Sequence, residues 1–486
     1  MLDLMFFLTE SVANPRHIGS VLIFRKPRGR RDRVVEEIVD AYRRAPPRPP
    51  FNRIPLFRKA GMPLWQDVER IDVSHHVHYL ALPAPGSEQQ LHALIADLHA
   101  PMLERHRPGW KVYFIDGLAG DRFAIYHKVH HALVDGESGM EILRRSMTES
   151  AADRRIPSTI GLDHPERSRP APEGLQRALE REARTLARRT WSIGVGGLHL
   201  VEQTLAGLRG YTPRHTRAFT APATPMNAPI SSSRSITHTV LPLRRLKTVA
   251  RRAGATLNDV VLCLLDAAVN RYLREQGRPP DHPLVALCPV SLREAGVKEA
   301  TTNVSAIWPP LGPVAAPIDA RLRTIVANTR AAKAELKSLG KDVAYAYAVM
   351  AFALTETLAV ARPEVLGLRT GNLLVSNVRG PERPLYLNGA RLEAMFPVST
   401  LIVGVGLNVT FMSYADQVVL GYTGNGVALP AFEQLASYTV AAFDALERRV
   451  AGRRRGAGAR PRKRTGRAAA GGVTARTSAR AARRAT

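Results

Sequence analysis

The sequence predicts an α/β chain of two domains with a basic tail, on three observations. Its 486 residues exceed what one ordinary core organises, and a 45% hydrophobic content supports globular folding. Segments alternating with period two are interleaved with helical ones on both sides of a linker and crossover segment, 151–230, whose two ends are Pro-rich. From Gly452 onward the chain is Arg/Ala/Gly-rich, with twelve Lys/Arg and no acid. Such a segment buries no core and is expected to be disordered.

The first half, 1–150, opens with a short amphipathic helix at Leu2–Glu10 and a strand at His17–Phe24. Helices follow at Arg33–Arg44, ended by Pro46-Pro47, and at Gln89–His99. The stretch Phe123–Met140 is the most informative. Phe123, Ile125, His127, Val129 and His131 alternate with Ala124, Tyr126, Lys128 and His130, as on a pleated strand. Asp135-Gly136 breaks that pattern, and Glu137–Ser146 reads as a helix. His131 is therefore expected at a strand end beside an open turn, where sheet proteins often place reactive groups.

Between the halves, Gly174–Arg189 reads as a charged helix. Trp191–Leu208 reads as a Gly-rich crossover helix or a surface element touching lipid. The second half, 231–451, begins with a strand at Thr237–Leu241 and a helix at Leu243–Ala253. Thr256 is a plausible N-cap for a long apolar helix through Tyr272. Strands are expected at Leu284–Val290, Leu373–Pro381, Ile402–Ser413 and Gln417–Tyr422. Helices are expected at Ile318–Leu339, Val343–Leu358 and Ala431–Val450.

The net charge is +27, and +15 remains without the tail's twelve cations. A basic surface suits anionic headgroups, CoA phosphates or nucleic acid, and charge does not choose among them. Cys263 and Cys288 sit in apolar runs and read as core residues in a reducing compartment. The start, MLDLMFFLTES, lacks a secretory pattern, and no apolar run is long enough to predict a transmembrane helix. His75, His76 and His78 are dense enough to suggest a metal, but they fall in an apparent strand without Cys or a carboxylate set, so none is expected. His127 and His131 are four residues apart on a strand, about 13 Å, which does not bring two metal ligands together.

His130, His131, Asp135 and Gly136 form HHxxxDG. Two readings stand. One is a buried His pair followed by an Asp-Gly turn. The other is an imidazole that takes a hydroxyl proton near neutral pH, with Gly136 clearing a path for ligand.

HHALVDG resembles the HHxxxDG signature of CoA-dependent acyltransferases, including the chloramphenicol acetyltransferase-like and condensation-domain folds. The chain from Leu2 to about Val450 resembles the bacterial wax ester synthase/acyl-CoA:diacylglycerol acyltransferase family. LDLMFFLTE, PRHIGSVLIF, Asn258-Asp259, PVSLR at 289–293 and SNVRGP at 376–381 also carry the likeness. Gly109 stands where the family has Leu, and Thr302 where it has Gly.

The resemblance implies two chloramphenicol acetyltransferase-like half-domains with mixed sheets flanking a substrate tunnel. It implies acyl-CoA as co-substrate, no tightly bound cofactor, and diacylglycerol or a fatty alcohol as acceptor. Triacylglycerol or wax ester would be the product. His131 would be the general base and His130 a local orienting group. Asp135 would hold the turn and pair with an Arg, while Gly136 keeps the acyl or CoA path open. Asn258 would donate to the oxyanion, with Asp259 beside it; both also read as caps of a buried helix. Asn377 and Arg379 read as turn residues or as a latch near the channel. The family implies a cytoplasmic protein in peripheral contact with membrane or lipid inclusions, and the tail suits anionic lipid or nucleic acid. A condensation-type transferase with carrier-bound donors and a non-catalytic lipid-binding protein are the alternatives.

Overall fold

A computed structural model describes residues 2–31, 33–57, 64–162, 220–291, 304–358 and 369–457. The first half runs α1 (Leu2–Thr9), β1 (His17–Arg25), α2 (Val34–Arg44), β2 (Arg53–Leu56), β3 (Leu64–Asp67), β4 (Val77–Ala81), α3 (Glu88–His99), β5 (Trp110–Leu118), β6 (Arg122–His130) and α4 (Gly136–Arg145). The second contains β7 (Arg234–Pro242), α5 (Leu243–Ala253), α6 (Leu257–Glu275), β8 (Ala286–Ser291), β9 (Val304–Ile307), α7 (Ile318–Ser338) and α8 (Lys341–Leu358). It continues with β10 (Leu373–Val378), β11 (Tyr386–Leu387), β12 (Ala390–Val398), β13 (Leu407–Tyr414), β14 (Gln417–Asn425) and α9 (Gln434–Ala457).

Local chemistry explains many boundaries. Ser87 and Gln90 form a capping box that starts α3, and Thr256 and Asp259 form another at α6. Gly254 ends α5 at φ 62°, a conformation cheap only without a Cβ. Two six-stranded mixed sheets result, ordered β11-β12-β1-β6-β5-β4 and β7-β14-β13-β10-β8-β9. The β4–β5, β8–β10 and β10–β13 pairs are parallel. Helix α6 is buried along most of its length in the second sheet's core.

The two sheets do not each draw on one half of the chain. β11 and β12 come from the second half of the chain but lie in the first sheet, where β12 pairs with β1 from Gly19↔Val398 to Arg25↔Arg391. A Cβ on Gly421 of β14 would meet the Pro397 carbonyl at 2.1 Å, so glycine lets β12 pass close to the second sheet. Period-two patterning marks which side chains share a face, but not which strand becomes the partner. β2, β3, β5 and β12 were not among the expected strands. His75 lies in a 3₁₀ turn ahead of β4, because Asp72 caps that turn through the Ser74 N–H at 3.0 Å. Gly452 does not stop the last helix, which continues to Ala457. The rest of the tail, the helices expected at 174–189 and 191–208, and Thr302 lie outside the described residues.

Three histidines are sealed inside the fold. His17 Nε2–H donates to the His99 carbonyl at 2.5 Å, and His99 Nδ1 bonds the Tyr126 hydroxyl at 2.6 Å. Burial, with the nearby Lys128 charge, holds His17 and His99 well below the ordinary imidazole pKa of 6.5. Burial alone lowers His127 to about 3. Above the unfolded value all three are neutral in both states. As pH falls below 6.5 the unfolded chain takes up protons that the folded chain refuses, so stability is lost on acidification. Each histidine should contribute about 1.4 kcal/mol of loss per pH unit in that window. Denaturant titrations at pH 7.5 and 5.5 should differ by several kcal/mol, and a flat profile would refute this account.

Candidate active site

The site grows out of the last two residues of the β6 ladder. His130 N–H donates to the Gly109 carbonyl at 2.7 Å on the β5 side. His131 N–H donates to the Arg16 carbonyl at 2.9 Å on the β1 side, extending the pairing one residue past β6. Neighbouring residues of a strand point to opposite faces. The two imidazoles therefore part company.

His131 lines a cavity of about 220 Å³ between the two sheets. One wall comes from β1, β6 and α4, including Gly19, Val129, Gly136 and Met140. The other comes from Ser376 and Val378 of β10 and Thr410 and Met412 of β13, while Pro397 and Val398 of β12 line the cavity from the first sheet. Phe6 of α1 stacks on the His131 ring at 4.3 Å between centroids.

His130 does not line this cavity. Its ring stacks on Phe7 at 4.0 Å. Its Nδ1 accepts the Ala132 N–H at 3.1 Å, which leaves the proton on Nε2, 3.6 Å from Glu10 Oε1. Burial works to raise the Glu10 carboxyl, but His130, the Arg16 N–H and Arg105 outweigh it and hold its pKa below the usual value. His130 thus braces the turn and anchors α1, whose Phe6 reaches His131. The contacts of His130 lie on the face of the sheet away from the cavity.

Asp135 is the N-cap of α4, its carboxylate accepting the Ser138 N–H at 2.7 Å. Gly136 is the first residue of that helix and lies outside the left-handed region, so the bend does not demand glycine. A Cβ there would only touch Val378 Cγ2 at 3.6 Å, across the cavity. What glycine contributes is open space on the ligand side.

The Asn258-Asp259 pair is placed differently from expectation. Both Asp259 oxygens are engaged: Oδ2 accepts from the Thr256 backbone and hydroxyl at 2.9 and 2.7 Å, and Oδ1 accepts the Thr329 hydroxyl at 2.7 Å. This buried carboxylate caps the helix and ties it to Thr329 of α7, and it is not among the residues lining the cavity. Asn258 Oδ1 accepts from Asn377 Nδ2 at 3.0 Å. Asn377 sits between Ser376 and Val378, which face the cavity, so it points away from it. Asn258 and Asn377 latch helix α6 to strand β10 behind the cavity wall. Arg379 pairs with Glu382 at 2.8 Å on the surface.

Sequence reasoning missed Ser376, although it belongs to SNVRGP; period two along β10 is the signal that finds it. Ser399 and Thr410 also line the cavity, bonded to each other at 2.8 Å, and nothing local marked them. Gly109 is accommodated by its neighbours, since a Cβ would lie 3.0 Å from His130 Cβ and 3.4 Å from Leu133. Among the described residues no group of three His, Cys, Asp or Glu side chains could hold a metal ion. His76 stacks on Trp110 at 4.3 Å and His78 on Tyr113 at 4.9 Å.

The wax ester synthase/diacylglycerol acyltransferase catalytic domain matches residues 1–261, and the C-terminal domain of the same family matches 302–447. The chain belongs to this family. A Mycobacterium tuberculosis protein bearing the name of a diacylglycerol O-acyltransferase is 36% identical over 455 residues, 92% of this chain and 98% of that one. The solved wax ester synthase/diacylglycerol acyltransferase of Marinobacter aquaeolei is 30% identical, with a TM-score of 0.72 over 93% of this chain and 98% of that one. The first condensation domain of the CDA synthetase is 16% identical, with a TM-score of 0.52 over 92% and 93%, a likeness of fold alone. The two mixed sheets are the fold of this family. No single helix among the described residues is long and apolar enough to cross a membrane.

Proposed function

We propose that this protein moves a long-chain acyl group from acyl-CoA to the hydroxyl of diacylglycerol or a fatty alcohol, with His131 as general base. The observation that carries the reading is a lone imidazole of the HH pair at a mostly apolar cavity between the two sheets. A thioester is already activated, so the protein's task is to deprotonate and position an alcohol. The hydroxyl proton passes to His131 as the alcohol oxygen bonds to the thioester carbon. The carbon–sulfur bond then breaks, and the leaving thiolate recovers the proton. The ester and free CoA are released without a covalent acyl-enzyme, a resident cofactor or a metal. Ser376, a hydroxyl on the opposite cavity wall, is a better-placed oxyanion donor than Asn258. We take the cavity as the enclosed part of a tunnel that both substrates enter.

Such acceptors reside in lipid, and the chain offers a surface to meet it. Leu8 and Val12 on and after α1, with Leu56, Phe57 and Leu64 beside β2 and β3, are exposed apolar side chains. Phe7 joins the groups, 5.9 Å from Phe57 and stacked on His130. An apolar surface continuous with α1 therefore adjoins the site.

The test is thiol release from palmitoyl-CoA with diacylglycerol or hexadecanol supplied in lipid vesicles. Acceptor-dependent release is expected, together with co-sedimentation that Phe57→Ser with Leu64→Ser weakens. No acceptor-dependent release across a panel of donors and alcohols would sink the acyl-CoA reading.

A further inference from the structure

His127 lies four residues before His131 on the same face of β6, and Val129 between them lines the same cavity. Strand geometry separates the two imidazoles by about 13 Å. Val112 of β5 stands beside His127 in register, and Phe51, Val129 and Ile160 line the same cavity. It is 7% exposed, and neither ring nitrogen has a hydrogen-bond partner. Burial keeps the ring neutral, so it presents one N–H and one lone pair.

A second polar group lies nearby. The Tyr42 ring is 6.4 Å from His127, and its hydroxyl accepts the Thr159 N–H at 3.3 Å. Thr159 Oγ1 is itself buried and on the cavity wall, beside that Tyr42 hydroxyl. Ser20 stands opposite His127 in the β1–β6 register and also lines the cavity. Buried polar atoms in native proteins are nearly always paired, so the two open ring nitrogens of His127, with the Ser20 and Thr159 hydroxyls on the wall of the same cavity, imply a polar ligand atom there.

We propose that His127, Thr159 and Ser20 form a second polar subsite that receives a hydroxyl or keto oxygen carried partway along a long substrate chain. The inference rests on the acyl-transfer reading. An extended hydrocarbon chain with its reacting carbon at His131 covers the separation in about ten carbon–carbon bonds. The imidazole N–H donates to a keto or hydroxyl oxygen, and its other nitrogen accepts a hydroxyl proton. The site therefore selects chains oxygenated near the tenth carbon over plain ones. The same chemistry arises from the acyl donor or from the acceptor alcohol, and the two are separable.

The experiment compares kcat/KM for stearoyl-CoA and 10-hydroxystearoyl-CoA with hexadecanol. A second arm uses stearoyl-CoA with hexadecanol or an alcohol hydroxylated at its tenth carbon. One arm should favour the hydroxylated chain by about ten-fold, the effect of one buried hydrogen bond. His127→Leu should bring that ratio to one or below. Thr159→Val, which removes only a hydroxyl, should lower the ratio in the same direction and serves if His127→Leu does not fold. No preference in either arm, or a preference that survives both substitutions, would overturn the subsite and leave these groups holding water. Plain-chain transfer separates the two ideas: its absence in the wild type overturns the acyl-transfer reading as well.

Discussion

His131→Ala should lower kcat/KM for acyl transfer by about 10²- to 10⁴-fold, the usual worth of a positioned general base. That is about 3 to 5 kcal/mol of transition-state stabilisation. The substitution removes an imidazole from the cavity wall and leaves the backbone bond to Arg16 in place, so the β6 ladder persists. KM should change little, because the lost contact belongs to proton transfer and not to chain burial. His130→Ala is the instructive contrast. That ring lies off the cavity, against Phe7 and the Ala132 N–H. Its loss should cost stability and loosen α1 more than it slows chemistry. Steady-state thiol release and a melting curve for both variants separate these effects. If His131→Ala kept more than a tenth of the activity, the imidazole would not be the base.

Asp266→Ala should destabilise the fold by about 3–5 kcal/mol, because it strands a buried cation. Asp266 and Arg321 join α6 to α7 at 2.7 Å, with side chains 0% and 6% exposed. The carboxylate also accepts the Gly312 N–H at 3.1 Å and the Asn270 amide at 2.8 Å. Arg321 donates in turn to the Ala316 and Val314 carbonyls, so the guanidinium is built into the loop before α7. Neither residue lines the cavity, and turnover should persist at temperatures where the fold survives. Replacing both by apolar residues of similar volume should recover much of the loss. Denaturant midpoints for the single and double variants measure this. A single-variant cost below about 1 kcal/mol would mean that water reaches the pair.

Signals that act over a few residues were legible in the sequence by itself. The alternation from Phe123, the Asp135-Gly136 break and the helix after it place His131 at a strand end. The structure agrees, with β6 ending one residue earlier and Asp135 capping α4. Leu243–Ala253 and the Thr256 cap were equally readable, since capping and period depend on neighbouring backbone groups. Family motifs pointed to the right region, yet they did not distinguish residues that face substrate from residues that hold those in place. Asp259 looked like a ligand group until Thr329, seventy positions away, was seen to complete its hydrogen bonds. What His130 would orient was not legible, because Phe7 and Glu10, over a hundred positions away, lie on its face of the sheet. The insertion of β12 beside β1 was likewise invisible, because any strand with one apolar face can pair with several others. Partner choice is settled by the burial of whole faces between distant segments. That long-range packing, more than any motif, made the cavity and decided which side chains of the motifs look into it.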